Sequence, residues 1–416
     1  MQKMLREFAD RDVLSLSQGV VHWTPPQTAI ENAISQLTKS ASEVHRYGPD
    51  EGSAELRSKL VEKIARENGL TAADNDVFIT VGANQAFVNL CLALFDPGDG
   101  VVLFRPFYFN HYMACQMTNL VPCLCDTTDE LRPDMAALRR LLESSSSNVR
   151  AVSVVNPGNP TGILLTRAEL EELSSLCRER GIWLIVDNTY EHFLWTDSDG
   201  DCDGDNGSRR HMCVEGDHVV NIFSFSKAYG MMGWRIGYLC FPMANEALRS
   251  GLFKVQDTLV ICPPGLSQRV ALGCLEAGSA WVADDTRLGS VRRNRAAVKT
   301  ALTSLLGESN VKGGDGAIYF FCRLPQHIPA SQLTDTDGEG GEGGEGGQWA
   351  SDECVVRWLV REYGVVVIPG SACGSPGHIR VAFANLGEDK CADAAERLGK
   401  GLGKLVELQR GAVHEM

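Results

Sequence analysis

The chain has 416 residues and a formal net charge of −14, which disfavours non-specific attraction to nucleic acid or to anionic membranes. Apolar residues make up 44% and charged residues 22%, the balance of a folded protein with room for one large domain and a smaller one. No apolar run approaches the roughly 20 residues that span a bilayer, and the mixed-charge N-terminus lacks a signal-peptide core, so a cytoplasmic protein is expected.

Residues 1–41 read as an N-terminal arm that packs with part of a small domain. Residues 42–285 alternate short β-rich runs with amphipathic stretches. Strands are predicted at Val77–Val81, Val101–Phe104, Ala151–Val155, Ile182–Val186, Val219–Phe223 and Ile236–Phe241, with helices such as Ala83–Phe95 and Arg167–Arg180 between them. The alternation implies an α/β fold, a mostly parallel central sheet flanked by helices. Residues 286–416 change texture: a helix through Arg292–Leu306, strands at Ala317–Cys322, Val365–Ile368 and His378–Phe383, then a helix near Lys390–Gln409. They read as a smaller α+β domain. Residues 197–210 and 335–348 are acidic, glycine-rich insertions expected to be mobile. The first spaces aspartates like a calcium loop from Asp199, but its twelfth position is Arg210 where a glutamate is required. The cysteines are scattered without a CxxC pair, so reduced thiols and no metal are expected.

Residues able to do chemistry stand at the ends of the predicted strands. Gly82, Ala83 and Asn84 follow the first strand and open a helix, where free backbone N–H groups attract an anion. Asn156-Pro157-Gly158-Asn159-Pro160 follows the third strand and fixes the Asn159 amide at the edge where open α/β sheets bind ligands. Asp187 closes an apolar strand, a costly place for a carboxylate without a cationic partner. Ser224-Phe225-Ser226-Lys227 follows the next strand. A lysine there, desolvated and near cations, would have a lowered amine pKa, the condition for a Schiff-base nucleophile. Arg235 is placed to neutralise a phosphate. Arg380, within an apolar strand, wants either a structural salt bridge or a substrate carboxylate. Each element alone has a plain structural alternative: a rigid turn, a solvent-seeking lysine, an ion pair.

Taken in order, GANQAF, NPGNPTG, VDNTYE, SFSKAYGMMGWRIGY and HIRVAFAN resemble the class I/II aminotransferases, pyridoxal-phosphate (PLP) enzymes of fold type I. The resemblance implies a ping-pong amino transfer through a Lys227 aldimine, with Lys227 then shuttling the proton. It implies that Asp187 keeps the pyridine nitrogen protonated and that Asn159 and Tyr190 hydrogen-bond the ring's phenolic oxygen. The phosphate would lie against Gly82, Ala83, Asn84, Ser224, Ser226 and Arg235, and Tyr108 would stack on the ring. Arg380 would clamp the substrate α-carboxylate, assisted by Asn159 and Gly19. Tyr47 would reach the neighbouring subunit's phosphate, which implies a homodimer with shared active sites, and His111 would stand behind Asp187.

For the substrate side chain, Val20, Val21, His22 and Trp23 beside Gly19 form an apolar and aromatic lip, with Tyr108, Phe109 and Tyr112 nearby. The motifs SQGVVHW, RYGPDEG and KGGDGAIYF are similar to plant-type aromatic aminotransferases, which implies methionine or an aromatic amino acid as donor and aromatic 2-oxo acids as acceptors. Aspartate/prephenate aminotransfer, a C–S lyase or a cyclopropane-forming synthase on the same scaffold stay open at this level. So does a ligand-sensing half of a transcription regulator, which the short arm and the acidic charge disfavour.

Overall fold

Six β-rich runs form strands where the pattern predicts them, with ends that agree within two residues. The computed structural model describes residues 6–8, 11–39, 44–144, 148–195, 211–333 and 349–415. Both acidic insertions, with the calcium spacing in the first, lie outside the described residues. Strands are numbered in chain order, beginning with β1 (Leu14–Ser15). The large sheet contains β2 (Asn75–Thr80), β3 (Gly100–Arg105), β4 (Val121–Asp126), β5 (Val149–Val155), β6 (Trp183–Asp187), β7 (Val219–Ser224) and β8 (Gly237–Pro242). Their order is β2-β8-β7-β6-β5-β3-β4, and every pairing is parallel except those of β8 with its two neighbours. Strands β2, β7 and β8 are buried at every position because helices cover both faces. Side-chain alternation sends Phe78 to the face that packs with Phe87 and Leu90, and Val77 and Ile79 to the face that packs with Leu56 and Leu60.

Strand β4 was not expected from the pattern. Its Pro122 removes a backbone donor, which is tolerated because β4 is the edge of the sheet.

A second, antiparallel sheet has the order β12-β13-β10-β9, with β9 (Val311–Gly313), β10 (Tyr319–Arg323), β12 (Ile368–Pro369) and β13 (His378–Ala382). Helices Ser290–Leu306, Asp352–Tyr363 and Glu388–Glu415 bury it in a core that includes Phe320, Val381 and Leu398. The run predicted as one strand over Val365–Ile368 divides in two. Val365–Val366 (β11) pairs in parallel with β1, whereas β12 turns to pair with β13. The N-terminal segment continues along the second sheet, where Ala382 N–H donates to the Leu16 carbonyl at 2.8 Å.

Register explains why distant motifs meet. Val155 lies opposite Asp187, and Asp187 opposite Ile222, so the carboxyl ends of β5, β6 and β7 stand side by side. Gly237 lies opposite both Thr80 and Ser224, which draws the Gly82 turn and Arg235 to the same edge. This is the edge at which open α/β sheets bind ligands.

Candidate active site

At that edge a cavity of about 180 Å³ is lined by Gly19, Ala83, Asn84, Tyr108, Phe109, Val155, Asn159, Asp187, Thr189, Tyr190, Ser224, Ser226, Lys227, Arg235, Tyr319 and Arg380. Chain reversal between β7 and β8 brings the Arg235 guanidinium into close packing with the Gly82 turn. A β-carbon at Gly82, which has φ +82°, would lie 2.3 Å from Arg235 Nη2. Arg235 itself has φ +54° and is held outside the strand rather than entering it, its Nη1 donating to the Met232 carbonyl at 2.9 Å. Its other contact is to Ser226 Oγ at 3.5 Å, so the guanidinium has donors left for an anion.

Lys227 follows β7 after a short turn. Burial, and then the charges of Arg235 and Arg380, lower its amine to about 8 against the opposing pull of Asp187. Asp187 is buried at the end of β6, where Oδ1 accepts from Thr189 N at 3.0 Å and Oδ2 lies 3.2 Å from His111 Nε2. The histidine contact has ion-pair distance without hydrogen-bond geometry, and His111 is stacked on Phe87 at 3.9 Å. Tyr108 Oη donates to Asn84 Oδ1 at 3.2 Å and accepts from Asn110 Nδ2 at 2.8 Å. Arg380 arrives from the second sheet. Its Nη1 donates to Asn159 Oδ1 at 2.8 Å and its Nη2 to the Ser17 carbonyl at 2.6 Å, while Nε is buried without a partner.

Three residues predicted for the site do not line the cavity. Trp23 is not among the lining residues, and its Nε1 donates to the Ala228 carbonyl at 3.1 Å. Tyr47 is 80% exposed and outside the cavity of its own chain. Gly82 backs the site through Arg235 rather than facing it. Conversely Tyr319 and Thr189 line it, although the sequence pattern assigns them no role. Thr189 falls inside the VDNTYE motif and Tyr319 inside KGGDGAIYF, but neither motif carries a signal of the contact each makes.

Behind the Asp187–Tyr190 turn lies a buried ion pair that the sequence does not disclose. Lys63 Nζ donates to Glu191 Oε2 and, at 2.9 Å, to Asn68 Oδ1. Asn68 Nδ2 also donates to Glu191 Oε2 at 2.7 Å. Burial raises the Glu191 carboxyl, but Lys63, His192 and the hydrogen bonds outweigh it and bring the group down to about 2. A folded pKa below the unfolded value of 4.5 stabilises the fold above pH 4.5, and the contribution is lost as pH falls toward 2. Lys63→Met is expected to cost about 3 kcal/mol at neutral pH by leaving a buried carboxylate unpaired. Urea unfolding from pH 7 down to 3 should show that deficit shrinking as the acid is approached. A deficit independent of pH would contradict it.

Comparison with known proteins agrees with this geometry. A family model described as aminotransferase class I and II matches residues 11–398. The chain belongs to that family. It is 46% identical over 395 residues to aromatic aminotransferase ISS1 of Arabidopsis thaliana, covering 94% of this chain and 90% of that one. It is 30% identical to an aspartate/prephenate aminotransferase of Thermus thermophilus, covering 94% and 92%. The solved structure of an aromatic aminotransferase from Pyrococcus horikoshii superposes with a TM-score of 0.78 at 26% identity, covering 96% and 99%.

Aminotransferases of this class and fold depend on PLP. The cavity of this aminotransferase suits that group. It offers a lysine with a lowered amine pKa, a buried carboxylate for a ring nitrogen, and a close backbone turn beside Arg235 for a phosphate. Among the described residues no cluster of three histidine, cysteine or acidic side chains is arranged to hold a metal. Nor is any described helix long and apolar enough to cross a membrane.

Proposed function

We propose that this aminotransferase takes methionine or an aromatic amino acid as donor and an aromatic 2-oxo acid as acceptor. One observation carries the choice: among the described residues of this chain the cavity's cations are Lys227, Arg235 and Arg380, and none of these is left for a second substrate carboxylate. Phe109 and Val155 line the remaining wall and favour an apolar side chain. The similarity to an aromatic aminotransferase from Arabidopsis supports the same class.

When bound, PLP supplies the electron sink for breaking the bond at the substrate's α-carbon. The chain's residues hold and steer. Ala83, Asn84, Ser224, Ser226 and Arg235 would hold the phosphate, and Tyr108 would cover the ring. Asp187 would keep the ring nitrogen protonated, while Asn159 and Tyr190 would contact the ring oxygen. Burial and the neighbouring Tyr319 keep the Tyr190 phenol protonated well above its ordinary range, so it acts as a donor. Lys227, near 8, can hold or release a proton at Nζ close to neutral pH. Arg380 would take the α-carboxylate. The exposed Tyr47 fits a role in a partner subunit's site, in a homodimer of a cytoplasmic enzyme with domains divided near residues 41 and 285.

A donor panel tests the reading. With phenylpyruvate as acceptor, kcat/KM for methionine or phenylalanine should exceed that for aspartate at least about 100-fold, the scale expected when a charged side chain meets an apolar wall without a partner. Aspartate as the best donor would contradict it.

A further inference from the structure

Tyr319 begins strand β10, and its phenol is 1% exposed. In the register of β10 with β13, Phe321 lies opposite Arg380 and Tyr319 opposite Ala382. Tyr319 is therefore the diagonal neighbour of Arg380 on one face of the sheet. The Arg380 guanidinium carbon stands 4.3 Å from the centre of the Tyr319 ring, a cation–π distance. At the other end of the ring, Tyr319 Oη is hydrogen-bonded to Tyr190 Oη, on the large sheet's side. The same hydroxyl explains Gly19, where a β-carbon would lie 2.0 Å from Tyr319 Oη. One phenol thus touches the carboxylate clamp, the Tyr190 hydroxyl and the Gly19 backbone.

The direction of the Tyr190–Tyr319 bond follows from counting protons. Each hydroxyl carries one hydrogen, and among the described residues neither has another hydrogen-bond partner. If Tyr190 donated to Tyr319, it would have no proton for the cavity, and the Tyr319 proton would be buried unpaired. If Tyr319 donates, both conditions are met. Burial raises both phenols, but Arg380 and the hydrogen bond shared with Tyr190 partly relieve Tyr319, whereas Tyr190 rises further on account of Tyr319. The more acidic phenol is the better donor.

We propose that Tyr319 is a positioning residue that turns the Tyr190 O–H toward the bound cofactor while its ring supports the Arg380 guanidinium. The proposal rests on the reading of this cavity as the PLP site. Its function is one of relay: a hydroxyl that accepts from Tyr319 is polarised and donates more strongly to the cofactor's ring oxygen. That donation stabilises negative charge on the oxygen, so weakening it makes the Lys227-bound cofactor hold its proton to higher pH.

The test is the pH titration of the visible band of the PLP-loaded protein as wild type, Tyr319→Phe, Tyr190→Phe and the double variant. Tyr319→Phe keeps the ring under Arg380 and removes only the hydroxyl. It is expected to raise the titration midpoint by about half a pH unit. Tyr190→Phe should raise it more, and the double variant no further than Tyr190→Phe alone, because the two act in series. A Tyr319→Phe midpoint equal to the wild type's, or shifts that add in the double variant, overturns the proposal. Should Tyr319→Phe fail to fold, Gly19→Ala reports on the same contact by displacing the Tyr319 hydroxyl. An unmoved midpoint there also overturns it. A wild type with no titrating visible band overturns the PLP-site reading and the proposal together. A band moved by Tyr190→Phe alone overturns only the proposal.

Discussion

Replacing Arg380 with alanine is expected to lower kcat/KM for amino-acid substrates about 100- to 1,000-fold, the consequence of losing roughly 3–4 kcal/mol from a buried charge-assisted contact. The sequence leaves two partners open for this arginine, a structural carboxylate or a substrate's. Among the described residues Arg380 has no carboxylate partner; it is held by the Asn159 amide, the Ser17 carbonyl and the Tyr319 ring. A buried cation held only by neutral groups is poised for an anion from outside, and its partnerless Nε adds to the case. Arg380→Lys should retain part of the affinity but not the two-point grip, because an ammonium cannot reproduce the guanidinium fork. Steady-state kinetics of both variants with phenylalanine checks this. Equal kcat/KM in wild type and Arg380→Ala would remove Arg380 from the substrate site.

The second large effect belongs to Lys227. Lys227→Ala is expected to abolish the covalent attachment of PLP and to lower turnover by about 1,000-fold or more, since the same amine attaches the cofactor and moves the proton. Lys227→Arg should fare no better, because an arginine stays charged where a neutral amine is required. Mass measurement after borohydride reduction of the PLP-treated protein reads the attachment directly. A PLP adduct retained in Lys227→Ala would contradict the assignment.

Much of the site is legible in the amino-acid sequence itself. Asp187, Ser224 and Lys227 sit at or just beyond the ends of continuous apolar strands, and a parallel sheet exposes those ends along one edge. Local pattern therefore brings them together without any knowledge of the register. The Arg167–Arg180 helix is legible to the residue because its ends carry their own signals, a capping box at Thr166 and Glu169 and a left-handed Gly181. Tyr319 is not legible as a site residue, since its meaning lies in the pairing of β10 with β13 and in a hydroxyl contact across the two sheets. The Lys63–Glu191 pair is hidden for the same reason: each residue alone reads as a solvated charge on its own element. Trp23 stands near Gly19 in the chain, but the acceptor of its indole, the Ala228 carbonyl, is not legible in the local sequence.

A single half-reaction tests whether one cavity holds PLP on Lys227 and passes an amino group between two substrates: PLP-loaded protein, freed of excess cofactor, mixed with phenylalanine and no acceptor. The visible band should convert to the pyridoxamine form with one phenylpyruvate released per site, and adding a 2-oxo acid should restore it. Release of ammonia in place of that stoichiometric 2-oxo acid, or a band that phenylalanine and methionine leave unchanged, would contradict the account.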